Sequence, residues 1–243
     1  MTDDLPVSLP VDRLVHAASA VFALVFALVV SSLIAQLATS AAVGVGVVAP
    51  DTNAFAILQF VASFVGFLPA VVGYLLITDQ RDLVSASIPS LRELGLIVGS
   101  AIVLYGLQIG LLLTLREFGF RTGENPATMA AGDPVVYYAA MIAVSLFVVG
   151  PAEELLLRGV VQGGLRRSFD AAPAILIAAL MFGILHGSVE GTAVEQAAYM
   201  GVTVILGAIL GVLYEKTENV LVPGFAHGLY NAIIFAGLLW GVL

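Results

Sequence analysis

An uncharged run, VVYYAAMIAVSLFVVG at residues 135–150, leads into PAEELLLRG at 151–159. Two glutamates and an arginine are costly in such surroundings unless they are paired or put to use, because an ionised group there loses its water. Their spacing separates two roles. At about 100° per residue, Glu154 and Arg158 stand on one helix face, about 40° apart, and can neutralise each other. Glu153 is turned about 100° from Glu154, so it lacks that partner and is free to act as a base. Two imidazoles also fall in apolar helices. His186 ends MFGILHG, with Phe182 four residues before it, and His227 opens HGLYN, with Asn231 four residues after it. Each pair shares a helix face. Phe182 packs beside the His186 ring and excludes water there, and His227 presents its imidazole beside a carboxamide. The third histidine, His16, reads as an interfacial residue at the start of the first apolar segment.

The elements that must position these groups are membrane helices. Of the 243 residues, 60% are hydrophobic and only 11% charged, against about 25% charged in an ordinary soluble domain. Seven apolar segments, about 15–39, 54–77, 94–115, 135–152, 171–187, 194–213 and 221–242, have the length and composition of membrane spans. The fold class expected is all-α, a polytopic transmembrane bundle of about seven or eight helices forming a single domain over 1–243. Asp133-Pro134 starts the fourth segment as an N-cap followed by proline at the first helical position. The piece around 79–93 is expected to lie along the interface as a short helix.

Several classes are excluded. No cysteine is present, which removes disulfides, thiolate ligands and a cysteine nucleophile. A net charge of −8 with a single lysine, Lys216, argues against nucleic acid as a partner. The N-terminal MTDDLPVSLPVDR lacks a basic region, so the first helix is expected to stay as an anchor. Six basic residues, Arg13, Arg81, Arg92, Arg166, Arg167 and Lys216, fall on one side of the bundle, and two, Arg116 and Arg121, on the other. The positive-inside rule then places the N-terminus in the cytoplasm. If the fourth helix runs on to about 165 and the fifth begins near 171, Glu153 lies about 18 Å and His186 about 22 Å from the hairpin that joins them, so the two are nearly level. If that hairpin projects into the cytoplasm, His227 reaches the same depth. The expected site is one intramembrane cavity, open to the cytoplasmic side, lined by Glu153, His186, His227 and Asn231.

The three motifs, EELLLR at 153–158, FGILH at 182–186 and HGLYN at 227–231, resemble EExxxR, FxxxH and HxxxN/D of the CPBP family. These are the Abi or CAAX-type intramembrane proteases, which include the type II CAAX prenyl endopeptidase. The resemblance covers residues 135–243, with the motifs in order on three helices. It implies an intramembrane endopeptidase of the plasma membrane, acting within the bilayer on membrane-associated proteins or peptides. It implies Glu153 as the base that activates a water shared with His186, and His227 and Asn231 as oxyanion donors. Glu154 and Arg158 form the supporting pair. A carboxylate held away from water is a stronger base, and fixed donors stabilise charge that develops in the transition state. A metal-independent mechanism with no cofactor is favoured. The alternative is a zinc site on Glu153, His186 and His227. Two other functions share these residue types: a proton-coupled transporter and a non-enzymatic immunity or scaffold protein.

Overall fold

The computed structural model describes residues 10–243, so the first nine residues of the acidic N-terminal stretch lie outside it. The described chain folds into seven helices: α1 (Pro10–Gly44), α2 (Asn53–Ile77), α3 (Leu91–Glu117), α4 (Pro134–Leu165), α5 (Ala171–Leu185), α6 (Ala193–Thr217) and α7 (Leu221–Trp240). Six of them are long and apolar enough to cross a membrane; α5 is too short. The all-helical, polytopic expectation is thus met. At about 1.5 Å per residue α5 spans about 22 Å, less than the roughly 30 Å of a bilayer's hydrocarbon core.

Local chemistry sets the helix starts. The Asp133 side chain accepts from the amides of Val135 and Val136, with Pro134 at the first helical position. Ser90 with Glu93 and Thr192 with Glu195 form complete capping boxes on α3 and α6. Helix α2 breaks its regular pattern at Gly66. Pro69 lies three residues on and cannot donate to the carbonyl four residues before it.

The fourth apolar segment, read over 135–152, continues as helix to Leu165, the end from which the depth of Glu153 was counted. Glu154 and Arg158 pair inside it, and Glu153 keeps an unpartnered oxygen. Within α4 two stretches, Ser145–Val149 and Leu155–Gln162, widen to π geometry on either side of the glutamates. Such widening is rare and concentrates at functional sites. The expected interfacial helix at 79–93 is instead a 3₁₀ turn, Arg81–Leu83, followed by extended chain to the cap of α3. Asn219 holds that chain: its amide nitrogen donates to the Ser87 carbonyl at 2.9 Å, and its amide oxygen accepts from Ser87 N–H at 3.1 Å.

Cross-links between loops define the two ends of the bundle. At one end Arg167 pairs with Asp82 and Asn219 with Ser87. At the other Asn53 bonds the backbone of Gly132 and Asp133, and Glu124 pairs with Glu190 in a single antiparallel bridge. Helix α7 packs against α3, α4, α5's partner α6 and the widened part of α4, so it runs through the interior.

The crossing of α4 and α7 is unusually close. A Cβ added to Gly150 would strike the Gly224 carbonyl oxygen and the backbone of Gly228. One added to Gly228 would lie 2.7 Å from the Ser145 oxygen. Gly224 and Gly228 are four residues apart, the small-xxx-small spacing that lets membrane helices touch backbone to backbone.

Candidate active site

That contact sets Glu153 and Glu154 of α4 against His227 of α7. Glu154 and Arg158 are completely buried. Arg158 Nε lies 2.7 Å from Glu154 Oε2, as the spacing of four residues requires. The other Glu154 oxygen, Oε1, is 3.1 Å from His227 Nδ1. Glu153 Oε2 is 3.7 Å from the same nitrogen, is buried, and has no hydrogen-bond partner. The two glutamates therefore do have different surroundings. One is saturated by Arg158 and His227, and the other keeps an open acceptor.

Phe182 stands among the ionisable groups. Its ring lies 4.3 Å from the His186 ring, 5.7 Å from the His227 ring and 5.8 Å from the Arg158 guanidinium carbon. The Arg158 terminal nitrogens have no hydrogen-bond partner, so this aromatic face is the contact they retain. His186 caps the end of α5, with its Nδ1 2.9 Å from the Phe182 carbonyl oxygen. A carbonyl can only accept, so Nδ1 carries the hydrogen and the neutral ring keeps its lone pair on Nε2.

A polar ladder runs from Glu154 toward the bundle end that bears Arg166. Its steps on α4 are Glu154, Arg158, Gln162 and Arg166, four residues apart. Gln162, fully buried, donates to the Gly211 carbonyl and to Glu215 of α6, and Arg166 reaches the same Glu215 at 3.1 Å.

Glu153, Phe182, His186, His227 and Asn231 line one cavity of about 510 Å³. Phe60, Phe64 and Phe67 of α2 form an apolar wall. Asn125, Thr128 and Ser188, from the loops joining α3 to α4 and α5 to α6, line it as well. Among the described residues, none from the loops at the opposite end does so. The opening was expected at the end carrying Arg166, Arg167 and Lys216, but the cavity lies toward the end carrying Arg116 and Arg121. The reason is depth. Arg166 and Arg167 tie the hairpin to Glu215 and Asp82 at the bundle end and do not carry it outward. About 18 Å in from that end is past the middle of a 30 Å core.

His16 lies away from the site, with Nδ1 2.8 Å from the Asp12 carbonyl. Among the described residues no three His, Asp or Glu side chains stand close enough together to hold a metal ion. Two features were missed in the sequence. The glycines of GFAHG carry the helix contact, and their spacing was visible beside His227. Tyr199, in AAYMG, lines the cavity, with no spacing to any motif that would single it out.

Residues 135–233 match the family model of the Type II CAAX prenyl endopeptidase Rce1-like proteins. That range begins with α4 and contains all three motifs. The chain is also similar to the protein named "Putative membrane peptidase YdiL" of Bacillus subtilis (strain 168). The two are 29% identical over 184 residues, which cover 71% of this chain and 69% of that one. No solved structure matches the chain. The findings support a membrane protease in general, and within that class the CPBP/CAAX-like family indicated by the motifs.

Proposed function

We propose that the protein is an intramembrane endopeptidase in which Glu153 activates water against a peptide bond of a membrane-associated protein or peptide. One observation carries this reading: four groups with complementary chemistry, from three helices, line one cavity, and Glu153 presents a buried, unpartnered oxygen into it. A water there donates one hydrogen to Glu153 and the other to the open Nε2 of His186. Attack on the carbonyl carbon moves charge to the carbonyl oxygen. The Asn231 amide donates to that oxygen, and so does His227 when its ring carries both hydrogens.

Glu154 and Arg158 hold His227 in place. The apolar wall of α2 keeps bulk water from the site, which strengthens each electrostatic contact inside. The mechanism routes no step through a metal. The uneven distribution of basic residues supports a cytoplasmic N-terminus; with that orientation the cavity lies toward the outer leaflet of the plasma membrane.

The test is a cleavage assay on a panel of single-span membrane peptides in liposomes, with wild type and Glu153→Gln. A transporter or an immunity protein cleaves nothing in either form. A protease cleaves with wild type and loses turnover in the variant.

A further inference from the structure

Tyr199 lies in the second turn of α6 and lines the same cavity as Glu153, His186, His227 and Asn231. The loop between α3 and α4 holds its hydroxyl: the Asn125 side-chain nitrogen donates to it at 3.0 Å. The orientation of that carboxamide is fixed, because its oxygen accepts from Ala127 N–H at 2.9 Å. The phenol oxygen therefore accepts from Asn125, and its own hydrogen remains to be given elsewhere. Two nearby tyrosines are committed: Tyr137 and Tyr138 donate to the carbonyls of Ala127 and Thr128. Tyr199 is also within electrostatic reach of Glu153.

The oxyanion is short of an unconditional donor. The hydrogen on His227 Nδ1 faces Glu154, so a neutral His227 offers only an acceptor at Nε2. From these placements we propose that Tyr199 is a further catalytic residue, which donates a hydrogen bond to the oxyanion beside Asn231. The inference rests on the protease reading of the site. In the step concerned, the water oxygen bonds to the carbonyl carbon and one water proton passes to Glu153. The carbonyl π pair moves onto oxygen, where Tyr199 and Asn231 hold it and keep their own protons. On collapse the C=O re-forms and the C–N bond breaks. Its electron pair stays on nitrogen, which takes the proton from Glu153.

The experiment uses the full chain in phosphatidylcholine–phosphatidylglycerol liposomes, with the most readily cleaved member of a fluorogenic single-span peptide panel as probe. Tyr199→Phe is expected to lower kcat by about 10²-fold and leave KM unchanged. Replacing Tyr199 by 3-fluorotyrosine keeps the shape of the site but makes the phenol more acidic. Its rate should begin to fall at lower pH than the wild-type rate, a change that a packing role would not produce. Wild-type kcat in Tyr199→Phe, with Glu153→Gln inactive, overturns the role of Tyr199 and leaves the protease reading intact. Turnover retained in Glu153→Gln overturns both. A Tyr199→Phe protein that fails to fold, with the fluorotyrosine profile superimposable on wild type, also overturns the role of Tyr199.

Discussion

Gly150→Ala tests how the site is assembled. The added methyl would lie 2.6 Å from Gly228 Cα and closer still to the Gly224 oxygen and the Gly228 nitrogen. Carbon atoms in contact sit about 3.5–4.0 Å apart, so α4 and α7 must part by about 1 Å. The atoms met are backbone, so no side chain can swing aside. The Glu154–His227 contact, now 3.1 Å, then stretches beyond hydrogen-bonding range. Overpacking costs about 1–3 kcal/mol, and losing a hydrogen bond to a charged group about 1.5–3 kcal/mol. Together these come to about 3–6 kcal/mol of stability. A displacement of about 1 Å in the reacting groups also costs about 10² in rate. The assay pairs thermal unfolding in detergent with peptide cleavage. Gly99→Ala is the control: a Cβ there meets nothing within 4 Å, and alanine in a helix is neutral or stabilises by about 0.5–1 kcal/mol. If Gly150→Ala behaves like Gly99→Ala in both measurements, backbone contact between α4 and α7 does not build the site.

Arg158→Ala should destabilise by about 3–5 kcal/mol, since it strands the fully buried Glu154 without its cation; unaltered yield and unfolding temperature would contradict this. Asn231→Ala and His227→Ala should each lower kcat by roughly 10²–10³, with the His227 variant also less stable because Glu154 loses a donor; equal loss of stability in both would count against separate roles. Exhaustive chelation should leave turnover unchanged. Loss that added zinc restores would convert Glu153, His186 and His227 into ligands.

Much of the site was legible because it rests on local geometry. The four-residue step from Glu154 to Arg158 survives in the structure even though the helix widens from Leu155 onward. Phe182 beside His186 follows from the same step. The spans were legible from apolar length, but α5 is misjudged by that measure, since its apolar run continues into a turn at His186. What local reading lacked was the contact between helices. His227 was expected as an oxyanion donor beside Asn231; the approach of Gly150 to Gly228 also brings its ring onto Glu154. Tyr199 is defined by Asn125, which is 74 residues away in the chain, and no periodicity reports such a contact. The end toward which the cavity lies depends on where the hairpin stops, which Asp82 and Glu215 decide from elsewhere in the chain.

The role of Glu153 as the base is tested most directly by cleavage of a single-span peptide by wild type and Glu153→Gln in the same liposomes, with chelator present. Glutamine keeps the size and shape of the side chain and removes its basicity. Wild type is expected to cleave the peptide with chelator present. Glu153→Gln is expected to show no turnover, with an unfolding temperature close to wild type. Cleavage by Glu153→Gln at a wild-type rate would contradict that role.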